Sequence, residues 1–209
     1  MTAERTRVRR LPEKQVADRA ALDAVLDAGL VGHLAVVDES GQPYVLPVGY
    51  ARDGDRVLVH GSTASRLFRA LGDGAPTCFT VTLLDAVVVA RSAFESSMHY
   101  RSAMVLGRCT PVTGDEQVAA LERLTEHLIP GRWHDIRPPM RKELAATLVL
   151  SLPLAEWSVK VSAGQPADEP DDVAGPAWAG VVPLTQVWGE PVPADDLADG
   201  IALPDYLRR

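Results

Sequence analysis

The sequence predicts a mainly β protein in which an antiparallel barrel of about seven strands carries a few α-helices on its outside. Short runs of β-branched and other apolar residues recur along the chain, and turns rich in Gly and Asp separate them. The strands follow one another directly instead of alternating with helices, which favours an antiparallel barrel over a parallel doubly wound sheet. The 209 residues are 46% hydrophobic and 23% charged, a composition typical of a globular protein with its own core.

The amino-terminal half begins with a helix and continues as a meander of strands. Asp18 is a helix-capping residue, and Leu22, Val25 and Leu26 follow it at the spacing of one helical face. Gly29 is a residue type that commonly ends a helix, so we expect the helix to run to residue 28. Strands are predicted over residues 31–38, 44–50 and 56–60, with turns at 39–42 and 53–55 between them.

The same pattern continues as far as residue 161. A short helix is predicted over residues 66–71 and a longer amphipathic helix over 115–129, where Pro130 and Gly131 end it. The other predicted elements are strands over 77–84, 86–92, 100–112, 147–154 and 156–161, a loop over 94–99, and a helix over 141–146.

The net charge of −7 is concentrated at one end of the chain. Residues 165–209 contain nine acidic and two basic side chains, whereas residues 1–164 carry equal numbers of both. The sequence therefore predicts a barrel domain over 1–164 and an acidic, Pro-rich extension over 165–209. Apolar residues at 176–183 indicate that this extension packs on the barrel or on a partner subunit. A neutral body with an acidic tail is a poor polyanion binder, so no nucleic acid partner is expected.

Nothing in the sequence indicates export or a membrane partner. The longest apolar stretches are far shorter than the ~18 residues of a membrane-spanning helix. Residues 1–12 carry arginines but no apolar core, unlike a secretory signal. Cys78 and Cys109 have neither the spacing of a zinc site nor the number expected of a disulfide framework. They predict buried thiols in a reducing compartment, and we expect the cytoplasm.

Residues 57–67 are the most informative segment for function, because a buried strand there ends in a loop of small residues that opens a helix. Backbone N–H groups at a helix start attract a negative group. The polar side chains of the segment are His60, Ser62, Thr63, Ser65 and Arg66. The hydroxyls are neutral donors, and the guanidinium is a planar permanent charge suited to phosphate. The segment predicts a phosphate cradle; the alternative is that its serines cap the helix without a ligand.

Two further segments gather groups that suit a ligand. Pro47 interrupts a predicted strand and removes a ladder donor, so we expect it at an edge or bulge whose backbone groups are open to a planar heterocycle. The alternative is an edge proline that only blocks aggregation. Residues 94–102 cluster polar and aromatic side chains before a strand. Tyr100 and Arg101 could reach a ligand or a partner subunit from there, unless the segment is a plain surface loop.

Together these segments resemble the pyridoxamine 5′-phosphate oxidase-related, FMN-binding split-barrel family, in its nitroimidazole-resistance reductase-like branch. The matching stretches are Arg-Arg-Leu-Pro-Glu at 9–13, Leu-Asp-Ala-Gly at 26–29, Val-Gly-His-Leu-Ala at 31–35, Gly-Gln-Pro-Tyr-Val-Leu-Pro at 41–47, His-Gly-Ser at 60–62, Ser-Arg at 65–66, Ala-Arg-Ser at 90–92, Tyr-Arg-Ser at 100–102, Lys160, Gly164, and Trp-Ala-Gly-Val-Val-Pro-Leu at 178–184. Their order and spacing carry the resemblance, which covers most of residues 5–184.

The resemblance implies a six-stranded antiparallel Greek-key split barrel with flanking α-helices. It implies a homodimer with one FMN at each end of the subunit interface. The residues expected along the isoalloxazine ring are Val45, Leu46, Pro47 and Val48. Those expected at the phosphate are His60, Gly61, Ser62, Ser65 and Arg66. Those expected to close the site, from the same or the partner chain, are Tyr100, Arg101, Ser102, Lys160 and Trp178.

The expected function is therefore an FMN-dependent oxidoreductase acting on a small molecule, with the redox chemistry at the flavin N5 atom. No side chain is singled out as a catalytic acid or base, and the sequence contains neither His-x-His nor His-Glu-x-x-His, so no metal is expected. Leu67 stands where many relatives carry Lys, which weakens the predicted cradle. Two alternatives stay open: a protein that binds flavin, deazaflavin or haem without turnover, and a pyridoxamine 5′-phosphate oxidase.

Overall fold

The computed structural model describes residues 4–208, so the first three residues of the predicted barrel domain and Arg209 lie outside the described residues. The α-helices are α1 Arg19–Ala28, α2 Arg66–Gly72, α3 Asp115–Leu128, α4 Arg141–Ala146 and α5 Pro170–Val173. The strands are β1 Gln15–Val16, β2 Val31–Val37, β3 Pro43–Asp53, β4 Arg56–Ser62, β5 Pro76–Val89, β6 Ser97–Arg108, β7 Thr110–Val112, β8 Thr147–Pro153, β9 Glu156–Ser162 and β10 Gly180–Pro183. Short 3₁₀ turns lie at Glu4–Thr6, Pro12–Lys14, Trp133–Asp135 and Asp205–Leu207.

All strands belong to one antiparallel sheet in the order β1-β9-β6-β5-β2-β3-β4-β8-β7, with β10 added to β5. The mainly β, antiparallel class is confirmed. The count of six strands is wrong, because ten strands join the sheet and its path does not close. Three of them, β1, β7 and β10, are only two to four residues long. Strands this short leave little periodic signal in a sequence.

The bend between β6 and β7 gives the sheet its barrel-like curvature. Only Cys109 separates these two strands, yet β6 pairs with β5 and β9 whereas β7 pairs with β8. The chain therefore brings the β8 end of the sheet back to β6. The single strand predicted over 100–112 is therefore interrupted at Cys109.

The segments predicted as two strands over 77–84 and 86–92 form one strand, β5. The ladder with β6 continues past a register shift between Leu84 and Ala86 instead of ending there. For the same reason β6 begins at Ser97, inside the predicted loop over 94–99, since its first residues pair with the second half of β5. Pairing with a neighbouring strand overrides the local composition in both places.

Helix α1 packs its apolar face on the sheet. The Asp18 side chain accepts the backbone N–H of Ala20 at 3.0 Å, which fixes the start of the helix as predicted. The buried face consists of Leu22, Val25 and Leu26. Tyr50 of β3 donates its buried hydroxyl to the carbonyl oxygen of Leu26 at 2.7 Å. Helix and sheet are therefore joined by a hydrogen bond as well as by apolar contact.

The carboxyl-terminal extension is attached to the rest of the chain at three places. Residues 180–183 form β10, which pairs with β5 on an edge that β2 leaves free. Asp168, whose side chain is only 3% exposed, accepts hydrogen bonds from the backbone and the guanidinium of Arg91 at 2.6 and 2.8 Å. Near the end of the chain, the hydroxyl of Tyr206 accepts a hydrogen bond from Arg132 at 3.2 Å. The apolar part of the extension thus docks on its own chain.

No helix among residues 4–208 combines the length and the hydrophobicity that a membrane span requires. The same residues contain no group of three or more His, Cys, Asp and Glu side chains arranged to hold a metal ion.

Candidate functional site

Strand β3 has two neighbours, and each covers only part of it. Residues 43–49 pair with β2, and residues 50–53 pair with β4. The edge of residues 43–49 that faces away from β2 therefore has no strand partner within the described part of the chain. Pro47 lies in this half, at an edge as predicted. We call this stretch the open edge; its backbone groups are accessible to a planar ligand.

The four residues predicted along a flavin ring alternate between the two faces of the sheet. Val45 is 61% exposed and Pro47 is exposed beside it on the outward face. Leu46 and Val48 are half-buried and pack against the core. A ring lying along the open edge would therefore meet the backbone of all four residues but the side chains of only two.

Beyond the point where β3 and β4 part, β4 continues with β8 as far as Ser62. The Ser62 hydroxyl accepts the N–H of Ala64 at 3.1 Å, and the Ser65 hydroxyl accepts the N–H of Phe68 at 3.4 Å as the cap of α2. Ser65 is thus a helix-capping residue, as in the alternative interpretation, whereas Ser62 stabilises the turn that precedes the helix. Each hydroxyl keeps its own hydrogen, for which no acceptor appears among residues 4–208, so capping and ligand binding are compatible.

Helix α2 lies close to β4 because Gly61 has no side chain. A Cβ atom at Gly61 would lie 2.7 Å from the ring of Phe68, which is buried. A glycine is therefore required at position 61 so that α2 can pack on β4, whether or not Gly61 contacts a ligand. Since α2 has only seven residues, its dipole is a minor contribution, and the cradle depends on side chains.

Arg66 extends from α2 to β3. Its Nη2 atom donates to the Tyr44 hydroxyl at 3.3 Å, and its guanidinium carbon lies 5.7 Å from the centre of the Tyr44 ring. A carboxylate oxygen of Asp38 is 3.9 Å from Nη2. The Arg66 side chain remains 69% exposed, so most of its N–H donors are open to a ligand. The contact with Tyr44 brings the cradle and the open edge together.

Sequence reasoning missed both partners of Arg66. The Asp38 carboxylate accepts the Ser40 hydroxyl at 2.6 Å and the backbone N–H groups of Ser40 and Gln42 at 2.9 and 3.0 Å. These hydrogen bonds lower the pKa of Asp38, and the bond from the Ser40 hydroxyl contributes most. Asp38 is therefore ionised at neutral pH. The turn pattern Asp-x-Ser-Gly could have revealed Asp38. Nothing local in the sequence connects Tyr44 with Arg66.

His60 lies exposed near the end of β4, at the entrance to the cradle. The surrounding chain partly desolvates its imidazole, and this lowers the pKa of His60. The ring is therefore neutral at pH 7, with one N–H donor and one acceptor nitrogen. An anion bound beside it would favour the protonated form.

Several other predicted site residues lie elsewhere on the sheet. Ser102 of β6 and Lys160 of β9 are cross-strand partners, and Tyr100 is two residues from Ser102. Strands β5 and β2 separate β6 from β3, which places these residues roughly 14 Å or more from the open edge. Trp178 is 65% exposed and its indole lies over Gly180. Their role in closing the site requires a partner chain and stays a prediction.

Arg101 is engaged within its own chain. Its guanidinium donates to both carboxylate oxygens of Asp85 at 3.0 and 2.8 Å. This pair raises the pKa of Arg101 and lowers the pKa of Asp85. Because its charge is already balanced, Arg101 is a weaker ligand candidate than Arg66.

A cavity of about 370 Å³ lies behind the hairpin that joins β2 and β3. It is lined mainly by apolar side chains, among them Ala35, Val37, Pro43, Pro76 and Leu106, together with Arg5, Arg108 and Cys78. Burial raises the pKa of the Cys78 thiol, which is protonated at neutral pH. Pro43 lines the cavity whereas the next residue, Tyr44, contacts Arg66. Ala35, which also lines the cavity, is the cross-strand partner of Val45, so the cavity adjoins the outward face of the open edge.

An antiparallel sheet that parts at β3 and β4, with the segment of residues 60–66 at the parting, is the architecture of a split-barrel protein. The chain belongs to the pyridoxamine 5′-phosphate oxidase family, whose model, described as pyridoxamine 5′-phosphate oxidase, matches residues 18–161. The predicted family is thereby confirmed. No curated protein matches the chain.

Two solved structures resemble the chain over nearly its whole length. The FAD and heme binding protein from Mycobacterium smegmatis is 46% identical, with 93% of this chain and 96% of that chain covered and a TM-score of 0.89. The flavocytochrome Anf3 from Azotobacter vinelandii is 39% identical, with 99% and 96% covered and a TM-score of 0.92. A proposed 5-nitroimidazole antibiotic resistance protein from Bacteroides thetaiotaomicron is 19% identical, with 70% and 86% covered and a TM-score of 0.60, which shows a common fold.

Proposed function

We propose that this protein is a flavoprotein that binds one flavin nucleotide between the open edge of β3 and the cradle at residues 60–66. The observation that carries the proposal is the contact of Arg66 with Tyr44, because it places a permanent positive charge beside an unpaired strand edge. A flavin nucleotide has the two matching parts, a planar ring with hydrogen-bonding edges and a phosphate at the end of a flexible chain.

The chain's own residues would bind and orient the nucleotide. The backbone at 45–48 would hydrogen-bond the edge of the ring, while Ser62 and Ser65 donate their hydroxyl hydrogens to the phosphate. Arg66 would add charge-assisted hydrogen bonds from its guanidinium, and His60 would add a neutral N–H donor. When bound, the flavin would supply hydride or electron transfer at N5, which makes an oxidoreductase acting on a small molecule the activity that we propose.

We infer that FAD, in place of the FMN that the resemblance implies, binds more tightly. The support is the similarity to the FAD and heme binding protein of Mycobacterium smegmatis. Arg66 supplies the permanent positive charge of the cradle, Asp38 offsets part of it, and Leu67 adds none. The diphosphate of FAD and the terminal phosphate of FMN carry about the same total charge at pH 7, so this balance does not separate the two cofactors.

Titration of the apoprotein with FAD and with FMN, followed by calorimetry, tests the proposal. We expect one flavin per chain, tighter binding of FAD, and a visible flavin spectrum of the complex. At a free flavin concentration of 100 times the dissociation constant, the complex should be more stable than the apoprotein by about 2.7 kcal/mol. Absence of binding by both flavins would overturn the proposal, and tighter binding of FMN would overturn the preference alone.

Haem is a second candidate ligand, and the cavity behind the β2–β3 hairpin favours it. Its volume of about 370 Å³ is within the range of small-molecule sites, and its apolar walls suit a macrocycle. Arg108 suits an acidic side group, and the Cys78 sulfur would hold the haem iron. Haem would supply one-electron chemistry next to the outward face of the open edge.

Haem binding is tested by titration and absorption spectroscopy, independently of flavin. We expect a haem spectrum whose bands shift in Cys78→Ala and not in Cys109→Ala, the matched variant of the buried second cysteine. No haem binding would remove this candidate. An unshifted spectrum in Cys78→Ala would remove Cys78 as the ligand.

A further inference from the structure

Residues 5–14, which we call the basic loop, precede β1 at the edge of the sheet. The loop contains five basic residues and one acidic residue, whereas the chain as a whole carries a net charge of −7. The basic side chains are Arg5, Arg7, Arg9, Arg10 and Lys14. A local positive charge on an otherwise acidic chain attracts an acidic partner at that place and repels it elsewhere, so charge would fix the orientation of docking.

The backbone of the basic loop is held in place by β1 and β9. The side chain of Gln15 accepts the N–H of Val8 at 3.0 Å and donates to the carbonyl oxygen of Thr6 at 3.2 Å. Arg5 forms an ion pair with Glu156 of β9. The loop is therefore ordered before a partner binds, which reduces the conformational entropy lost on docking.

Leu11 has an uncommon backbone conformation within the basic loop. Its φ of 55° and ψ of 58° lie in the left-handed region, and no other non-glycine residue between 4 and 208 has a positive φ. The side chain of Leu11 is nevertheless 44% exposed. Backbone strain of this kind clusters at ligand-binding positions, so Leu11 is a candidate contact residue.

Two arginines of the basic loop carry charges that no carboxylate balances. The loop's other two arginines form ion pairs, whereas Arg7 and Arg10 are exposed and have no carboxylate within ion-pair distance among residues 4–208. Together with the exposed Leu11, they suit a partner surface in which carboxylates surround a small apolar patch.

The acidic extension of this chain is attached far from the basic loop. The loop borders the cavity that Arg5 and Cys78 line, near the beginning of β5. Strand β10 is attached to β5 from Ala86 onward, eight residues after Cys78 and thus about 26 Å further along the strand. Charges that far apart are screened at physiological ionic strength, where the Debye length is about 8 Å. Within the described part of the chain, no carboxylate of the extension forms an ion pair with the loop.

The basic loop also lies next to the region where the proposed cofactors would bind. Arg5 lines the cavity, and its partner Glu156 lies opposite Leu106, which is another lining residue. Arg7 is two residues from Arg5, at most about 7 Å along the chain. Since the cavity adjoins the open edge, a protein docked on the loop would be close to a redox centre in this region.

We propose that the basic loop is the docking site of an acidic electron-carrier protein that reduces the bound flavin. Arg7 and Arg10 would pair with carboxylates of the carrier, and Leu11 would contact the apolar patch between them. Two reduced carriers would each lose one electron in turn, and with two protons from solvent the flavin would reach its two-electron-reduced form. A small, charge-guided interface suits the transient complexes of electron carriers. The choice of an electron carrier rests on the proposed function, whereas the docking of an acidic protein does not.

Calorimetric titration of the full chain with an acidic plant-type [2Fe–2S] ferredoxin tests docking. We expect binding at about 0.01 M salt, where the Debye length is about 30 Å, and weaker binding at physiological ionic strength. In Arg7→Glu/Arg10→Glu the dissociation constant should rise at least about tenfold, because attraction becomes repulsion. The control Arg141→Glu/Lys142→Glu makes the same change of charge on α4, where both side chains are exposed, and should bind as the wild type does. No binding, or an equal loss in both variants, would overturn the proposal.

The variant Leu11→Gly separates a docking role from a structural one. Glycine adopts the left-handed conformation without strain, so the melting temperature should be no lower than that of the wild type. The dissociation constant for ferredoxin should nevertheless rise severalfold, because the apolar contact is lost. Unchanged binding in this variant would overturn the role of Leu11.

Stopped-flow mixing of the flavin-loaded protein with reduced ferredoxin tests the electron transfer. Bleaching of the flavin should be at least about tenfold slower in Arg7→Glu/Arg10→Glu at low salt, and the difference should vanish at high salt. The flavin content is measured beforehand: a chain without flavin would overturn the proposed function and the reduction step, and the calorimetric titration would still decide docking. Binding of ferredoxin without bleaching would overturn the electron-carrier role. Binding of anionic lipid vesicles in place of ferredoxin, lost in Arg7→Glu/Arg10→Glu, would overturn a protein partner.

Discussion

The Arg66 guanidinium lies 3.3 Å from the Tyr44 hydroxyl, and this contact joins α2 to the open half of β3. The two residues are 22 positions apart and belong to elements that are not paired with each other. The contact holds the charge of Arg66 at the place where the sheet parts. A ligand that spans the open edge and the cradle meets both.

Arg66→Ala should weaken flavin binding by roughly 1.5–3 kcal/mol, since a charge-assisted hydrogen bond to phosphate is lost. Calorimetric titration of the apoprotein measures the effect. The matched control is Arg69→Ala, one helical turn further along and also exposed, which should bind flavin with unchanged affinity. Equal affinities in the wild-type protein and Arg66→Ala would show that the phosphate lies elsewhere.

Flavin affinity should rise as the pH falls from 8 to 5. The apoprotein holds His60 neutral because its pKa is lowered, and a bound phosphate raises that pKa, so binding takes up a proton. FAD is the suitable ligand for the titration, because its phosphodiesters do not change charge in this range. In His60→Gln the affinity should vary less with pH. An identical pH profile in this variant would contradict the placement of His60 beside the phosphate.

His60 should affect the stability of the apoprotein in the opposite direction: the free energy of unfolding should fall as the pH falls. The unfolded chain protonates His60 at its ordinary pKa of about 6.5, whereas the folded chain resists protonation. The unfolded state therefore binds more protons, and the free energy of unfolding falls as the pH drops below about 6.5. Urea denaturation at pH 5 and pH 8 measures the difference, which should shrink in His60→Gln; an undiminished difference would assign it to other groups.

Gly61→Ala should destabilise the protein by roughly 1–3 kcal/mol, because the new methyl group overlaps the Phe68 ring and displaces α2. Flavin affinity should fall with it, since α2 carries Arg66. Thermal unfolding and calorimetry give the two values. Gly189→Ala is the control, because a Cβ atom there meets nothing within 4 Å and Gly189 lies outside the open edge. A Gly61→Ala protein as stable as the wild type would mean that α2 does not need this close approach.

Glu143 should contribute an acid-sensitive share of the stability. Its carboxylate accepts both guanidinium N–H groups of Arg137 and the backbone N–H of Met140, which lower the pKa of Glu143 to about 2. This contribution is present above the ordinary pKa of about 4.3 and is lost as the pH falls toward 2. In Glu143→Gln the free energy of unfolding should be lower at pH 7 and less dependent on pH below 5. An unchanged pH dependence would contradict the assignment.

The periodicity of the sequence was sufficient to predict the long helices and strands. The cap at Asp18 and the apolar spacing after it predicted α1, and Pro47 was correctly placed at an edge. The ten-stranded sheet was not predictable, because strands such as β10 have four residues or fewer and are stabilised by a distant partner.

The candidate site shows the same division. The cradle predicted at Ser62, Ser65 and Arg66 depends on local pattern alone and stays a prediction. Tyr44 and Asp38 could not be connected with them, because only the folded sheet brings a strand and a turn of the β2–β3 hairpin to α2. Tyr100, Ser102 and Lys160, which were expected to close the site, lie away from the open edge in one chain, so their assignment depends on assembly.

The most direct test is a crystal structure of the protein with bound FAD. We predict a phosphate within hydrogen-bonding distance of the Arg66 guanidinium and the Ser62 and Ser65 hydroxyls, with the ring along the backbone of residues 45–48. A flavin bound with its phosphate elsewhere, or density at the cradle that contains only water after soaking, would contradict the account.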